Sequence, residues 1–231
     1  MRGVARSAIA VDAIDYERMG YLLERATSRF ELACHAWCFL PNHLHLLVTS
    51  QLGNLSDAMH WFGTCTAQSF NLRHERVGHL FQGRFESRLV EDDSYFLELA
   101  RYLPLNPVRA GLCDSPGEWP WSSYTATAGL RKTPPWFLDA KPLLGMLGSA
   151  AAYIAWVGGG GECDSLDEFG RPISPPRPSL AAILPTDCAS GVSGAHFGHG
   201  YSKAEIARHL GVSRSQISRR LAADVTARSA R

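Results

Sequence analysis

The stretch Trp37-Cys38-Phe39-Leu40-Pro41-Asn42-His43-Leu44-His45-Leu46-Leu47-Val48 decides how this chain is read. Two apolar runs flank Pro41-Asn42, a pair with turn chemistry, so the spacing predicts a tight hairpin of strands over 30–40 and 43–49. Side chains alternate across a strand with period two. His43 and His45 therefore share one face, while Leu44, Leu46 and Val48 go to the opposite, buried face. Two imidazoles side by side on a strand can hold a divalent metal.

Working outward, Met19, Leu22, Leu23 and Ala26 recur at helical spacing and predict a helix over 15–26 before the hairpin. After it, Met59, Phe62, Thr66 and Phe70 mark one side of a long helix over 55–76, stopped near Gly78. A strand is expected over 79–90. Asp92, Asp93 and Ser94 then offer an N-cap for a helix through Tyr95, Leu97, Leu99 and Tyr102, which Pro104 and Pro107 kink or end. The order α-β-β-α-β-α over 12–110 is that of a ferredoxin-like α+β unit, an antiparallel sheet with helices on one face, lacking its first strand. Trp119-Pro120-Trp121-Ser122-Ser123-Tyr124 reads as an aromatic loop packed on this domain, and 142–157 as one further helix.

The chain has 231 residues, and 45% of them are hydrophobic, enough for a packed core. No apolar run approaches the ~20 residues of a membrane span, and the start lacks the layout of a signal peptide. A cytoplasmic, nucleoid-associated protein with no membrane partner is expected. The six cysteines form no Cys-x-x-Cys pair, so neither a zinc knuckle nor a disulfide framework is indicated, and Cys34 and Cys38 read as small buried hydrophobes. Charge is uneven: the last 31 residues hold seven Lys and Arg against two acids, although the whole chain is only +1. A basic tail on a mildly acidic body points to nucleic acid.

Tyr102 and Asn106 are four residues apart and share a helix face, so a phenol and an amide oxygen would meet the two histidines. Two neutral imidazoles and an amide oxygen leave positions on a divalent cation for phosphate oxygens. Beside such a site a phenol, a poor nucleophile at its ordinary pKa near 10, could attack phosphorus.

The segments 37–47, Gly78-His79-Leu80-Phe81-Gln82-Gly83-Arg84-Phe85, Arg101-Tyr102-Leu103-Pro104-Leu105-Asn106-Pro107-Val108-Arg109-Ala110-Gly111-Leu112 and 119–124 together resemble the REP-associated tyrosine transposases, Y1 transposases of the HUH single-strand endonuclease superfamily. The likeness covers about residues 2–157. It implies that His43, His45 and Asn106 ligate a divalent metal, Mg²⁺ or Mn²⁺. It implies that Tyr102 is the nucleophile forming a 5′-phosphotyrosine on single-stranded DNA, and that palindromic repeats folded as hairpins are recognised. Arg84 and Arg109 are the expected phosphate contacts of this domain. In the family an opening strand ends in an Arg-Gly pair, and Met1-Arg2-Gly3 matches only its end. A start assigned too late, a decayed copy or a substituting segment would each account for that. The expected cost is unpaired backbone on the strand that bears the histidines.

The tail from 201 has two capping boxes, Ser202-Lys203-Ala204-Glu205 and Ser213-Arg214-Ser215-Gln216, with Gly211 in the turn between them. Ile206, Ala207 and Leu210 would pack on Val212, Ile217 and Leu221. This is a helix-turn-helix pattern that would offer Arg214, Ser215, Gln216, Arg219 and Arg220 to duplex DNA. The expected organisation is a catalytic domain over 1–125, a helical extension over 126–157, a flexible linker over 158–200 and a DNA-binding module over 201–231. The function expected is metal-dependent cleavage and strand transfer of single-stranded DNA by a monomer or homodimer. The alternative is a catalytically defective regulator that binds DNA through the tail.

Overall fold

The hairpin forms in the computed structural model, which describes residues 1–159, 180–184, 192, 195, 201 and 203–229. Strands β1 (Leu32–Phe39) and β2 (Leu44–Ser50) pair antiparallel with Phe39 opposite Leu44 and Leu32 opposite Ser50, and a bulge at His35 separates Cys34 from Ala36. The Leu40 N–H donates to His43 O and closes the turn.

Helix α1 (Ala13–Phe30) precedes the hairpin and extends past the predicted 15–26 at both ends. The Asp12 carboxylate caps its start, and Glu31 in the left-handed region ends it. Helix α2 (Leu55–Arg73) buries the predicted Met59, Phe62, Thr66 and Phe70, and stops at His74 rather than 76. Helix α3 (Asp93–Arg109) is capped by Asp92, whose Oδ1 accepts the Tyr95 N–H. The order continues with α4 (Tyr124–Thr127), α5 (Lys141–Leu147) and α6 (Ala150–Gly158).

Several expectations are corrected. No strand forms over 79–90 among the described residues; an isolated bridge from Phe81 to Gly3 stands there instead. A strand exists only where another backbone pairs with it, and here Gly3 pairs with Phe81 at a single bridge. Met1–Gly3 does lie between the hairpin and this segment: Leu44 N–H donates to Met1 O, Gly3 N–H to Asn42 O, and Gln82 N–H to Arg2 O. Met1–Gly3 thus supplies backbone partners to the start of β2, and among the described residues the sheet has two strands.

Helices cover both faces of that sheet, not one. Leu44, Leu46 and Val48 join Met19, Leu23, Phe62 and Phe70 in one core with α1 and α2. Ala36, Cys38 and Leu47 join Tyr102, Leu103, Leu143 and Tyr153 in a second. β1 is buried along nearly all of its length, which demands cover on both sides. Helix α3 runs through Pro104 and Pro107 instead of ending there. The predicted single helix over 142–157 is two: Gly148, at φ 90, breaks it and the Ser149 hydroxyl caps α6. Both α5 and α6 pack into the second core through Leu143, Tyr153 and Val157.

The chain divides into two units, Met1–Pro172 and Ile173–Arg231. In the second, α7 (Leu180–Ile183), α8 (Lys203–Leu210) and α9 (Arg214–Ser229) surround Leu184, Val192, Ala195, Ile206, Ile217 and Leu221. Leu184, Val192 and Ala195 fall in the expected linker yet are buried in this core. The Pro-rich stretch 172–178, Cys163, Cys188, Ser202 and Arg231 lie outside the described residues. Among the described residues no helix is long and apolar enough to cross a membrane.

Candidate functional site

Strand parity sends His43 and His45 towards α3, where their rings meet edge to face with centroids 4.9 Å apart. The Tyr102 ring stands edge-on to His45 at 5.7 Å. Packing of Ala100, Tyr102 and Leu103 against Ala36, Cys38 and Leu47 fixes α3 at this distance. The two histidines and the tyrosine, far apart in sequence, line one cleft of about 210 Å³ with Arg2, Arg84 and Arg88. Tyr102 is only 1% exposed, so the cleft reaches the edge of a ring the core otherwise encloses.

The tautomer of His43 is set by its neighbour. Asn42 Oδ1 lies 2.6 Å from His43 Nδ1 and can only accept, so Nδ1 carries a proton and Nε2 is the ring nitrogen left to meet a ligand. Asn42 is itself held, its carbonyl accepting Gly3 N–H at 2.9 Å, while Pro41 O accepts Ile9 N–H at 2.7 Å. The N-terminal segment therefore braces the turn that aims His43. Sequence reading took Asn42 for a turn residue and missed this; the signal was a side-chain acceptor directly beside a candidate ligand.

Asn106 lies one turn beyond Tyr102, buried, and is not among the residues that line the cleft. Its Nδ2 donates to Tyr102 O at 2.8 Å and reaches Leu103 O at 3.5 Å. Leu103 O is the carbonyl that Pro107, without an N–H, leaves without its usual helical donor. With Nδ2 turned to the helix, Oδ1 is the atom of this amide suited to a ligand. Among the described residues no group of three or more His, Cys, Asp or Glu gathers to hold a metal. Two imidazoles, one with a fixed tautomer, and an amide oxygen nevertheless suit a divalent cation with open positions.

Arg84 is exposed on the cleft, and exposed Arg109 places its guanidinium 5.6 Å from the Tyr102 ring. Arg88, which sequence reading passed over, is exposed on the same cleft and stacks on Tyr95 at 5.4 Å. Cys34 and Cys38 are buried, and burial pushes the Cys34 thiol up to about 12 and Cys38 up as well, so neither offers a thiolate.

In the second unit Arg214, Ser215, Gln216 and Arg219 are exposed on α9, and Arg220 is half-buried on the same helix. Gln216 Oε1 accepts from Ser213 N–H at 2.8 Å, and the Ser213 hydroxyl accepts from Gln216 N–H at 3.3 Å. Gln216 is thus occupied in a capping box. Ser215 and Arg219 lie opposite the buried Ile217 and Leu221.

Residues 3–104 match the family described as "Transposase IS200 like". A Haemophilus influenzae protein named as a REP-associated tyrosine transposase is 28% identical over 100 residues, covering 38% of this chain and 57% of that protein. The chain thus spans little more than half the length of the curated relative it matches. A solved structure of a REP-associated tyrosine transposase bound to a REP hairpin is similar with a TM-score of 0.45 and 18% identity, over 55% of this chain and 76% of the other.

Proposed function

We propose that this chain, whose residues 3–104 match the IS200-like transposase family, is a transposase of that kind and cuts and rejoins single-stranded DNA through Tyr102. The observation that carries the reading is the meeting of His43, His45 and Tyr102 at one cleft.

In this reading the Tyr102 Oη attacks the phosphorus of a phosphodiester. An O–P bond forms to Tyr102 as the bond to the 3′ oxygen of the preceding nucleotide breaks. The phenol proton passes to solvent, and the leaving oxygen takes a proton to become a free 3′ hydroxyl. A 5′-phosphotyrosine results, and attack by a 3′ hydroxyl reverses the step and restores the phenol, so phosphodiester energy is conserved for rejoining. Arg84 and Arg109 hold the flanking phosphates.

His43 Nε2, His45 and Asn106 Oδ1 would hold the divalent cation, Mg²⁺ or Mn²⁺. When bound it would draw charge from a phosphodiester oxygen as a Lewis acid. Asn42 keeps His43 in the ligating tautomer. The motifs shared with the REP-associated tyrosine transposases make the substrate a single strand carrying a palindrome that folds as a hairpin. The C-terminal helices act as a helix-turn-helix on duplex DNA, with Ser215 and Arg219 facing bases, Arg214 and Arg220 facing phosphates, and Gln216 serving the cap.

The test incubates the full chain with a single-stranded palindromic oligonucleotide labelled at its 3′ end, with Mg²⁺ or Mn²⁺. A covalent adduct that survives denaturing electrophoresis is expected, and Tyr102→Phe should abolish it. An adduct that persists in that variant overturns the assignment of Tyr102. Sequence-specific duplex binding with no adduct from the parent chain overturns the enzymatic reading in favour of a regulator.

A further inference from the structure

We propose that the outer face of α1 is a second DNA surface, one that grips the phosphate backbone of duplex DNA away from the cleft. Arg18, Tyr21, Arg25 and Arg29 fall at i, i+3, i+7 and i+11, one line along the helix spanning about 16 Å at 1.5 Å per residue. All four side chains are exposed.

Their partners are rings, not carboxylates. The Arg18 guanidinium lies 5.1 Å from the Tyr21 ring centre and that of Arg25 5.9 Å from the same ring. Arg25 also donates to Tyr21 Oη at 3.3 Å. Arg29 lies 5.4 Å from Phe30 and 5.6 Å from Trp61. Glu17, Glu24 and Glu31 are on or beside the same helix, yet none stands three or four residues from any of these arginines, the spacing at which helical ion pairs form. Asp15 does stand three before Arg18, but it is buried and engaged by Arg73 and His74. Glu24 instead accepts from Trp136 Nε1 at 2.7 Å. No carboxylate pairs with Arg18, Arg25 or Arg29 among the described residues, and Arg25 and Arg29 sit as a like-charged i, i+4 pair. Stacking holds the guanidiniums in place while leaving their charge unneutralised, which complements a polyanion.

Duplex DNA fits better than the alternatives. Tyr21 is shared between two guanidiniums and is not free to stack on a base, so phosphates rather than bases are the target. The apolar side of α1, with Met19, Leu22, Leu23 and Ala26, is buried in the core and has nothing to insert into a lipid surface. The choice of DNA rests on the cleavage reading above.

The experiment measures binding of the full chain to a blunt duplex of unrelated sequence across a salt series, for the parent, the triple variant Arg18→Ala, Arg25→Ala, Arg29→Ala and the corresponding triple lysine variant. The alanine variant is expected to lower the magnitude of the slope of log K against log salt by about 2 to 3, roughly one for each phosphate no longer neutralised, and the lysine variant to keep it. Adduct formation on a short single strand should not change. An unchanged slope in the alanine variant overturns the proposal. So does loss of binding to phosphatidylglycerol vesicles with the duplex slope unchanged, which assigns the face to a membrane. The adduct assay separates this from failure of the cleavage reading: an adduct with an unchanged slope sinks only the α1 surface, and a changed slope without an adduct sinks only the cleavage.

Discussion

The two outer edges of one hairpin are treated in opposite ways. Along β1 the edge is covered: Phe39 N–H donates to Trp121 O, Ser123 N–H to Trp37 O, and Asp139 N–H to Cys34 O. Trp119 adds its Nε1–H to Phe39 O at 2.9 Å, and Trp121 stacks on Tyr16 at 4.8 Å. Along β2, Met1–Gly3 pairs with the first residues, and beyond Leu44 the edge opens on the cleft that holds the histidines. An edge strand without a partner is a liability that proteins usually blunt. Here the blunted edge is covered by the aromatic loop, and the open edge is the one that presents the histidines to the cleft.

The largest effect should come from breaking the covered edge. Trp119→Ala removes a ring that packs on Tyr16 and the donor to Phe39 O, and should cost about 3 kcal/mol. Thermal unfolding should then drop by roughly 6 to 12 °C. A smaller stability loss with a larger functional one is expected from Gly3→Ala. A Cβ there would stand 2.1 Å from Ser7 O, so the segment must move, at about 1 to 3 kcal/mol. Asn42 would lose its brace, and covalent adduct formation should fall further than the melting temperature suggests.

Asn42→Ala isolates that brace: Mn²⁺ affinity, read by calorimetry, should weaken about 10- to 100-fold while the fold persists. Unchanged affinity would leave Asn42 a turn residue and nothing more. The edges themselves can be compared by hydrogen exchange. The N–H groups of Leu46 and Val48 share the parity of Leu44 and face the open edge, so they should exchange faster than those of Trp37 and Phe39. Equal rates would erase the contrast.

The smallest effect lies away from both edges. Asp12 bonds Arg73, which holds its carboxyl below the ordinary 3.8. A lowered carboxyl contributes stability that is present above the ordinary value and is lost as pH falls through the depressed one. Asp12→Asn should therefore be slightly less stable at neutral pH and lose less stability in acid, as read by denaturant midpoints below pH 5.

Local rules made much of this legible in the sequence. The 3.6 period placed the buried sides of α1 and α2, the Pro41-Asn42 turn placed the hairpin, and Asp92 marked the start of α3. Period two put His43 and His45 on the face opposite Leu44 and Leu46. What failed depended on partners distant in sequence. The strand expected over 79–90 has apolar residues enough, but its backbone meets the Arg2–Val4 segment only over Leu80–Gln82. Helices on one face were expected because β2 alternates; β1, buried on both sides, decided otherwise. Pro104 and Pro107 mark a kink or an end by local rules, yet Tyr102 and Leu103 are buried in the second core and tertiary packing carries the helix on to Arg109. The position of Tyr102 was legible; that it would be 1% exposed was not, since spacing gives a face and not a depth.

The prolines of α3 have a mechanical consequence. A helix normally hangs each turn on main-chain donors, and this one has had two of them removed around Tyr102. The Asn106 side chain spans the weakened turn, its Nδ2 donating to Tyr102 O and reaching the Leu103 carbonyl that Pro107 leaves open. The turn that carries Tyr102 is then only as rigid as the packing that holds one buried amide in place.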